Sequence, residues 1–350
     1  MTPKERVRIA MAKKQPDRLP ASVSFNTDTK SGPIKTGGLS AKEKIMQYLQ
    51  TDDYERVLRR LYIDVRNLGP RPLKDDPCRD EKFRNFFHGL RKASTIDDLE
   101  QLDWPTYDMF SDYSYLRDDL IKILNMDDMY AVAVSGISVW EVAREWRGFD
   151  RALMDWVGNP EFTTALFEHL YQMFIGCYDA YEQQLGDMTS QIDYVRAGSD
   201  FGIQTGPMIN PSLFERDYLV FVKREVERAK KVFPNAFFEF HCCGSAIEFY
   251  PYFVRAGVDI HHPVQPGCKD MDFGTIKRDW GYELAFAGGV DAQGVLAHGT
   301  PDEVRQMVLY AFNTLGKGGG FMIAPHGIMP EVPLENVLEL FDTVEKECRY

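Results

Sequence analysis

The sequence predicts an α/β fold, a (β/α)8 TIM barrel with extra N-terminal helices and a lid-like insertion. Short β-rich runs alternate with stretches of helical periodicity along most of the 350 residues. This alternation implies parallel strands with right-handed crossovers, and eight such strands close a barrel. A doubly wound open sheet is the alternative, but no glycine-rich nucleotide-binding motif follows the early strands.

Eight strand candidates rest on β-branched and aromatic runs that end at turn-forming residues. In chain order they cover residues 21–25, 62–67, 130–134, 194–197, 237–241, 258–262, 284–287 and 320–323. Helical periodicity lies between them over residues 40–61, 139–157, 160–185, 211–232, 245–256, 301–315 and 333–346. Several of these helices begin with a proline, whose missing N–H costs nothing in a first helical turn.

The chain is expected to be one domain, 1–350, since no repeat, low-complexity tract or Pro/Gly/Ser linker divides it. Two segments look like additions to the barrel. Residues 1–19 contain an N-terminal helix, and residues 70–128 form an insertion rich in aromatic side chains. The insertion is predicted to lie near the barrel mouth and to cover it as a lid.

The net charge of −12, from 41 Lys and Arg against 53 Asp and Glu, would repel nucleic acid and anionic membrane surfaces. No apolar run approaches the roughly 20 residues of a membrane helix, and the first residues lack the apolar stretch of a signal peptide. Six scattered cysteines are too few for a disulfide scaffold, so reduced thiols are expected. We therefore expect a cytoplasmic protein without nucleic-acid or membrane partners.

In a barrel, the functional residues lie where each strand turns into its loop. The segments at those positions are 26–28, 135–138, 198–200, 241–244, 261–265, 288–293 and 324–327. Four of the seven histidines of the chain fall within these segments. The barrel mouth is therefore where the candidate chemistry concentrates.

The sharpest signal is a histidine and a cysteine two residues apart at the end of one strand. His241 and Cys243 project to the same face, since side chains alternate along a strand, while Cys242 points towards the helices. An imidazole and a thiolate on one face supply half of a zinc site. His326, after the last strand, is the preferred third ligand, and Cys268 is the alternative. The competing interpretation is a hydrogen-bonded interior histidine beside a small buried cysteine.

Further polar residues at strand ends are predicted to complete the site. Asp200 and Glu239 are the candidate catalytic residues, Asp200 as ligand, base or support for a ligand and Glu239 on the inward face below the metal. The candidate substrate-binding residues are Glu141, His262, Gln265 and Gln293. Simpler roles remain open: a helix cap for Asp200, an interior hydrogen bond for Glu239 and a solvated helix face for Glu141.

The second half of the chain contains several short motifs in a characteristic order. They are Gly-Ser-Asp-Phe-Gly-Ile-Gln-Thr-Gly-Pro at 198–207, His-Cys-Cys-Gly at 241–244, Gly-Val-Asp at 257–259, Pro-Val-Gln-Pro at 263–266, Gly-Gly-Val-Asp-Ala-Gln at 288–293, His-Gly-Thr-Pro at 298–301, Ala-Pro-His-Gly-Ile-Met-Pro at 324–330 and Pro-Leu-Glu-Asn at 333–336. From about residue 140 onwards, the sequence therefore resembles the uroporphyrinogen decarboxylase superfamily. It resembles in particular the branch of zinc- and cobalamin-dependent methyltransferases.

The resemblance implies a (β/α)8 barrel and a zinc site. In that branch, His-x-Cys and a later cysteine hold the metal, and these positions correspond to His241, Cys243 and His326. The third residue is histidine here, as in members of the branch that act on methoxy compounds, and a less thiolate-rich site suits an oxygen-bearing substrate.

The implied function is zinc-dependent transfer of a methyl group between a small methoxy, methylamine or thiol compound and cobalamin. The cobalamin would be carried by a partner corrinoid protein or supplied as methylcobalamin. The alternatives are a cofactor-free decarboxylase of the uroporphyrinogen type and a non-catalytic family member. Residues 21–26 contain no arginine to grip the carboxylates of a tetra-acidic porphyrinogen, which argues against the decarboxylase.

Overall fold

The computed structural model describes residues 1–25, 39–73 and 81–350. The strands in these ranges are β1 (Val65–Leu68), β2 (Arg71–Pro72), β3 (Ser111–Asp112), β4 (Ala131–Ser135), β5 (Tyr194–Gly198), β6 (Gly202–Ile203), β7 (Gly206–Pro207), β8 (Phe237–His241), β9 (Ile260–Val264), β10 (Ala285–Gly288) and β11 (Phe321–Ile323). Seven of these described strands form one parallel sheet in the order β1-β4-β5-β8-β9-β10-β11. The sheet curls with helices outside it, so the predicted TIM-barrel class is confirmed.

The barrel closes through an irregular segment where the sequence predicts its first strand, 21–25. Ala21 and Phe25 form isolated parallel bridges with Ile323 and Ile328. On the other side, the Ala21 carbonyl accepts from the Asp64 N–H at 2.9 Å, just before β1. The prediction of a regular strand is wrong because the Ala21 N–H donates to the Asp64 carboxylate at 2.8 Å instead of to a neighbouring strand. This segment nevertheless completes the ring.

Sixteen α-helices lie in the described ranges: α1 (Pro3–Met11), α2 (Ala41–Tyr48), α3 (Tyr54–Arg60), α4 (Glu81–Lys92), α5 (Ile96–Glu100), α6 (Leu116–Leu124), α7 (Val139–Arg147), α8 (Phe149–Gly158), α9 (Pro160–Leu185), α10 (Pro211–Leu213), α11 (Leu219–Val232), α12 (Tyr250–Ala256), α13 (Phe273–Trp280), α14 (Val295–His298), α15 (Pro301–Thr314) and α16 (Leu334–Glu347). Thr2, Ser40, Thr95 and Thr300 begin four of them with capping boxes. None of these helices is both long enough and apolar enough to span a lipid bilayer.

Several predicted helices are interrupted where one residue breaks the backbone pattern. The helix predicted over 40–61 divides into α2 and α3, because Gln50 has a φ of 49° and Asp53 caps α3. The helix over 139–157 divides at Gly148, whose φ is 94°. A π-helical turn interrupts 211–232, and the helix over 245–256 starts only at Ile247. The periodicity did not predict α13, which Asp272 caps through the Thr275 N–H.

Helix α1 seals the amino-terminal end of the barrel. Its buried Val7, Ala10 and Met11 pack among interior side chains of the barrel strands. Its basic side chains meet acids that stand just before the strands: Arg6 contacts Asp64 at 2.6 Å, and Arg8 and Lys4 contact Asp193 at 2.9 and 3.2 Å. Apolar packing and buried ion pairs thus hold α1 against the strand starts.

The described part of segment 70–128 packs on the outside of the barrel. Helix α4 contacts α7, while α5 and α6 contact the long helix α9. Aromatic rings line this contact, with Phe86 5.1 Å from Trp104 and 5.8 Å from Trp146 between ring centroids. Among the described residues, none of the side chains that line the barrel-mouth cavity belongs to 70–128. A lid function for this segment stays a prediction.

Candidate metal centre

Three predicted ligands converge at the mouth of the barrel. His241 ends β8, Cys243 follows two residues later, and His326 comes three residues after β11. The Cys243 Sγ lies 3.3 Å from His241 Nε2 and 3.2 Å from His326 Nε2. The three ligand atoms all lie within 4.8 Å of one another. Residues 83 positions apart in sequence are therefore brought to one point by the loops after β8 and β11, two strands that are separated by β9 and β10 in the sheet.

Alternation along β8 and into its loop sets the direction of these side chains. Cys242 is fully buried and its Sγ accepts from the Phe201 N–H at 3.4 Å, away from the cluster. The same alternation on β9 sends His262 towards the cluster and His261 outward to Tyr250. The sequence pattern predicted the opposite orientation of Cys242, and β9 follows the same rule.

Backbone hydrogen bonds hold the loop that carries Cys243. The Cys242 N–H donates to the His262 carbonyl at 2.7 Å, and the Cys243 N–H donates to Asp200 Oδ1 at 2.9 Å. The Gly244 N–H donates to Gln265 Oε1 at 3.0 Å. Asp200 and Gln265 thus act at least as supports of the ligand loop.

Gly198 allows β5 to approach the ligand-bearing strand. Its φ of 138° is a conformation that side chains rarely adopt, and an added Cβ would overlap the backbone N and O of His241. The Ser199 N–H then donates to the His241 carbonyl at 2.8 Å. The first metal-ligand candidate therefore depends on a glycine in the neighbouring strand.

Burial favours the neutral forms of the Cys243 and His326 side chains. Burial raises the pKa of the Cys243 thiol far above its usual value, and the nearby Asp200 carboxylate adds to the rise. Burial and the neighbouring His241 lower the pKa of His326 to about 4. Burial opposes ionisation of Asp200, but contact with His241 and the Cys243 N–H hold its pKa below the usual range. A metal cation would displace the thiol proton, so metal binding should release protons.

The donor set and its spacing fit zinc. Two imidazole nitrogens and one sulfur are ligands that zinc prefers, and three protein ligands are typical of a catalytic site with one open position. Tetrahedral coordination at zinc places an N and an S ligand atom about 3.5 Å apart. The observed S···N separations of 3.3 and 3.2 Å are slightly shorter, so a small outward shift of the side chains would give this spacing. Cys268, the alternative ligand, is buried and is not a member of the described cluster.

A cavity of about 820 Å³ opens beside the cluster. The predicted site residues that line it are Glu141, Asp200, Glu239, His241, His262, Gln265, Gln293 and His326. At its rim, Glu141 Oε1 accepts from the Asp200 N–H at 2.8 Å, and Arg144 pairs with Glu141 and lies 3.7 Å from Asp200. The predicted residues therefore share one cavity, while their catalytic and binding roles stay predictions. The strand-end segment 26–28 lies outside the described residues.

Sequence reasoning missed Arg196, which lies in the floor of this cavity. Its Nη2 donates to Ser22 Oγ and Tyr194 O–H, both at 2.6 Å, and its Nη1 donates to Asn67 Oδ1 at 2.9 Å. Its Nε lies 3.2 Å from the buried Glu239 carboxylate. Burial raises the pKa of Glu239. An arginine within a predicted strand is the signal that would have found it, since β-strand interiors seldom carry an unpaired charge.

Comparison with known proteins agrees with the barrel fold. A model of the uroporphyrinogen decarboxylase (URO-D) family matches residues 90–347. The chain belongs to the uroporphyrinogen decarboxylase family. The resemblance read from the motifs is thereby confirmed at the level of the family, and the matched region includes all three ligand candidates.

Individual relatives of this URO-D family member are distant. The chain is 26% identical over 186 residues to a uroporphyrinogen decarboxylase of Brucella ovis, which covers 47% of the chain and 49% of the relative. It is 29% identical over 140 residues to a uroporphyrinogen decarboxylase of Trichodesmium erythraeum, and this match covers 39% of the chain and 37% of the relative. The chain thus matches less than half the length of each relative.

A solved structure shares the whole fold. A methyltransferase from Methanosarcina mazei superposes with a TM-score of 0.66 at 13% identity and covers 99% of both chains. At this identity the likeness concerns the fold, and it extends over the N-terminal segment that the family model leaves unmatched. The URO-D barrel and its additions therefore occur together in another protein.

Proposed function

We propose that this URO-D family member is a zinc-dependent methyltransferase that moves a methyl group between a small methylated compound and a corrinoid carrier. The observation that carries the proposal is the convergence of His241, Cys243 and His326 at the mouth of a large cavity. Zinc bound there would act as a Lewis acid that stabilises a substrate thiolate or a departing oxygen. Methoxy compounds, methylamines and thiols are the candidate substrates.

The surrounding side chains orient the ligands. His262, in register with His241 on the neighbouring strand, contacts the Nδ1 of the His241 ring, and the Nε2 of His241 is turned towards Cys243. Asp200 would support the ligand loop. Arg144 lies 3.7 Å from its carboxylate, and the Trp140 indole N–H donates to its backbone carbonyl at 3.1 Å. Glu141, Gln293 and Met329 line the cavity, and we expect the bulky corrinoid partner to approach on this side.

A thiol ligand needs reducing conditions, which suits the expected cytoplasmic location. A decarboxylase of the uroporphyrinogen type would need several cationic groups for a tetra-acidic substrate. Arg196 is the one arginine or lysine among the described residues that line the cavity. The cavity therefore favours a smaller substrate than a porphyrinogen.

Metal analysis of chain purified without chelator tests the proposal. We expect about one zinc per chain in the parent protein, little in Cys243→Ser and full occupancy in Cys268→Ser, which serves as the matched control. Methyl transfer between methylcobalamin and a thiol, or from a methoxy compound to reduced cobalamin, should follow zinc content. Zinc-free protein that decarboxylates uroporphyrinogen with or without Cys243 would instead establish the decarboxylase. Zinc occupancy without any methyl turnover would favour a non-catalytic family member.

A further inference from the structure

The cavity has a polar floor beneath the candidate metal centre, lined by Arg196, Glu239 and Ser22, with Tyr194 and Asn67 holding the Arg196 side chain. We propose that this floor recognises a carboxylate on the substrate, which makes the substrate a small acid with its reacting methoxy or thiol group at the opposite end. The inference rests on the proposed function only for the chemistry of that reacting end. The carboxylate site itself is argued from Arg196 and its contacts.

Arg196 supplies a free hydrogen-bond donor on the cavity side. A guanidinium has five N–H groups. Two on Nη2 go to Ser22 and Tyr194, one on Nη1 goes to Asn67, and Nε faces Glu239. Among the described residues, no acceptor is left for the second hydrogen of Nη1, and the Nη1 contact is the exposed one. An incoming oxygen atom can therefore bind at this edge of the guanidinium.

Glu239 neutralises Arg196 through one point only. Its Oε1 lies 3.2 Å from the Arg196 Nε as an ion pair, and neither that Nε nor the buried Oε2 has a hydrogen-bond partner among the described residues. Arginine binds carboxylates most strongly through two parallel N–H···O bonds, which this pair does not form. The neutral partners Ser22, Tyr194 and Asn67 fix the guanidinium without adding negative charge. The Nη1 edge is thus pre-positioned and open to an anion.

The depth of Arg196 sets the shape of the ligand. Arg196 precedes Gly198 by two residues on β5, and Gly198 pairs with His241 across the sheet. Two residues of strand span about 6.6 Å, so the guanidinium lies about one side-chain layer below the metal ligands. A compound that reaches both must carry its carboxylate and its reacting heteroatom at opposite ends. A para-substituted aromatic acid or a short extended aliphatic acid has this form.

The charged side chains at the rim do not compete with Arg196 for the substrate carboxylate. Asp200 and Glu141 lie near Arg144 and accept backbone or arginine hydrogen bonds. These acids would repel a carboxylate left at the rim, while Arg196 attracts it at the floor. The ligand should therefore bind with its carboxylate inward and its reacting end near His241 and Cys243.

Calorimetric titration of the full chain with matched acids and amides tests this site. The probes are 4-methoxybenzoate against 4-methoxybenzamide, and 3-methoxypropionate against its amide. The parent protein should bind at least one acid tenfold or more tightly than its amide. Arg196→Met should abolish the preference, and Arg196→Met/Glu239→Gln should do the same without leaving Glu239 unpaired. Arg224→Met removes a remote arginine that pairs with Glu168, so it should retain the preference.

Three results would overturn the carboxylate site. They are equal binding of acid and amide for both pairs, failure of both acids to bind, and a preference that persists in Arg196→Met/Glu239→Gln. The Cys243→Ser variant separates this inference from the proposed function, because it should lose zinc yet keep the preference for the acid. An acid preference that disappears with zinc would place the carboxylate on the metal and contradict the role of Arg196.

Discussion

The Nδ1 atoms of His241 and His262 lie 3.0 Å apart, so one ring must donate and the other must accept. The Nε2 of His241 faces Cys243, which leaves Nδ1 as the protonated nitrogen when Nε2 binds a metal. His262 is then the acceptor and carries its own proton on Nε2. Burial keeps the pKa of His262 well below its usual value, so the ring is neutral and can accept. At the proposed zinc site, a histidine would thus take the orienting role that a carboxylate often has.

Replacing His262 with phenylalanine should weaken zinc binding. The variant removes the acceptor that orients the His241 ring, and losses of such partners typically reduce metal affinity by about 10- to 100-fold. Competition with a chromophoric chelator measures the change. The same substitution at the exposed His88, on α4, should leave zinc affinity unchanged. Equal affinities for the parent and His262→Phe proteins would show that the ring contact does not orient the ligand.

Gly198→Ala should disturb both stability and the metal centre. The new methyl group would overlap the His241 backbone at a φ of 138°, so β5 and β8 must separate. We expect a loss of about 2 kcal/mol or more in the free energy of unfolding, together with lower zinc occupancy. Gly158→Ala is the control, because its added carbon meets nothing within 4 Å. Urea denaturation and metal analysis would decide, and a neutral Gly198→Ala would contradict the close approach.

Tyr250→Phe should destabilise the fold through His261. The Tyr250 O–H donates to His261 Nδ1 at 2.8 Å, and His261 Nε2 donates to the Cys242 carbonyl at 3.2 Å. This assignment follows because a carbonyl can only accept, and burial lowers the pKa of His261 to about 3, which keeps the ring neutral. Removing the hydroxyl leaves a buried acceptor unsatisfied, at a cost of about 1 to 3 kcal/mol. Tyr282→Phe, at a side chain that is 88% exposed, should change the free energy of unfolding by less than about 0.5 kcal/mol.

Glu225 should make the stability of the protein fall as pH rises. Burial raises its pKa to about 8, and Oε1 accepts from the Ile137 N–H at 2.7 Å and the Tyr178 O–H at 2.9 Å. Between the ordinary pKa of a glutamate and pH 8, the folded chain keeps a proton that the unfolded chain has lost. The contribution of Glu225 to stability is therefore greatest at low pH and declines up to about pH 8.

Glu225→Gln keeps the accepting oxygen and removes the titration. The parent protein should lose stability with rising pH while the variant does not. The free energy of unfolding of the variant minus that of the parent should therefore increase by roughly 1.4 kcal/mol per pH unit from about pH 5 to 8. Urea denaturation at four pH values within this range checks the slope. Parallel pH profiles for the two proteins would mean that Glu225 is ionised in the folded state throughout.

The sequence predicted the cluster of candidate metal ligands because the evidence for this cluster is local. The bounds of β8, 237–241, agree with the structure to the residue, and alternation from Glu239 to Cys243 fixes which side chains face inward. The prediction that His326 joins the cluster required only that the last strand lies in the same closed ring as the others. Local pattern and barrel topology together thus bring His241, Cys243 and His326 into one cluster.

The features that sequence reasoning missed depend on contacts between distant segments. The N–H of Ala21 is taken by the Asp64 side chain 43 residues away, which no local pattern in 21–25 indicates. Arg196 becomes a floor residue because Ser22 and Asn67 come from two other segments of the ring. The helices predicted over 40–61 and 139–157 are divided at single residues with positive φ, Gln50 and Gly148. The side chain of Gln50 gives no indication that its backbone adopts a positive φ.

The seal that α1 forms at the amino-terminal end gives the barrel the form of a well rather than a tube. Small and large partners that use this cavity must then pass through the same mouth. If the proposed corrinoid carrier covers the rim, a compound seated on the floor would have to arrive first, and its product could not leave until the carrier departs. The proposed methyl transfer would then follow a compulsory order, with the carrier in excess acting as an inhibitor that traps the small compound inside.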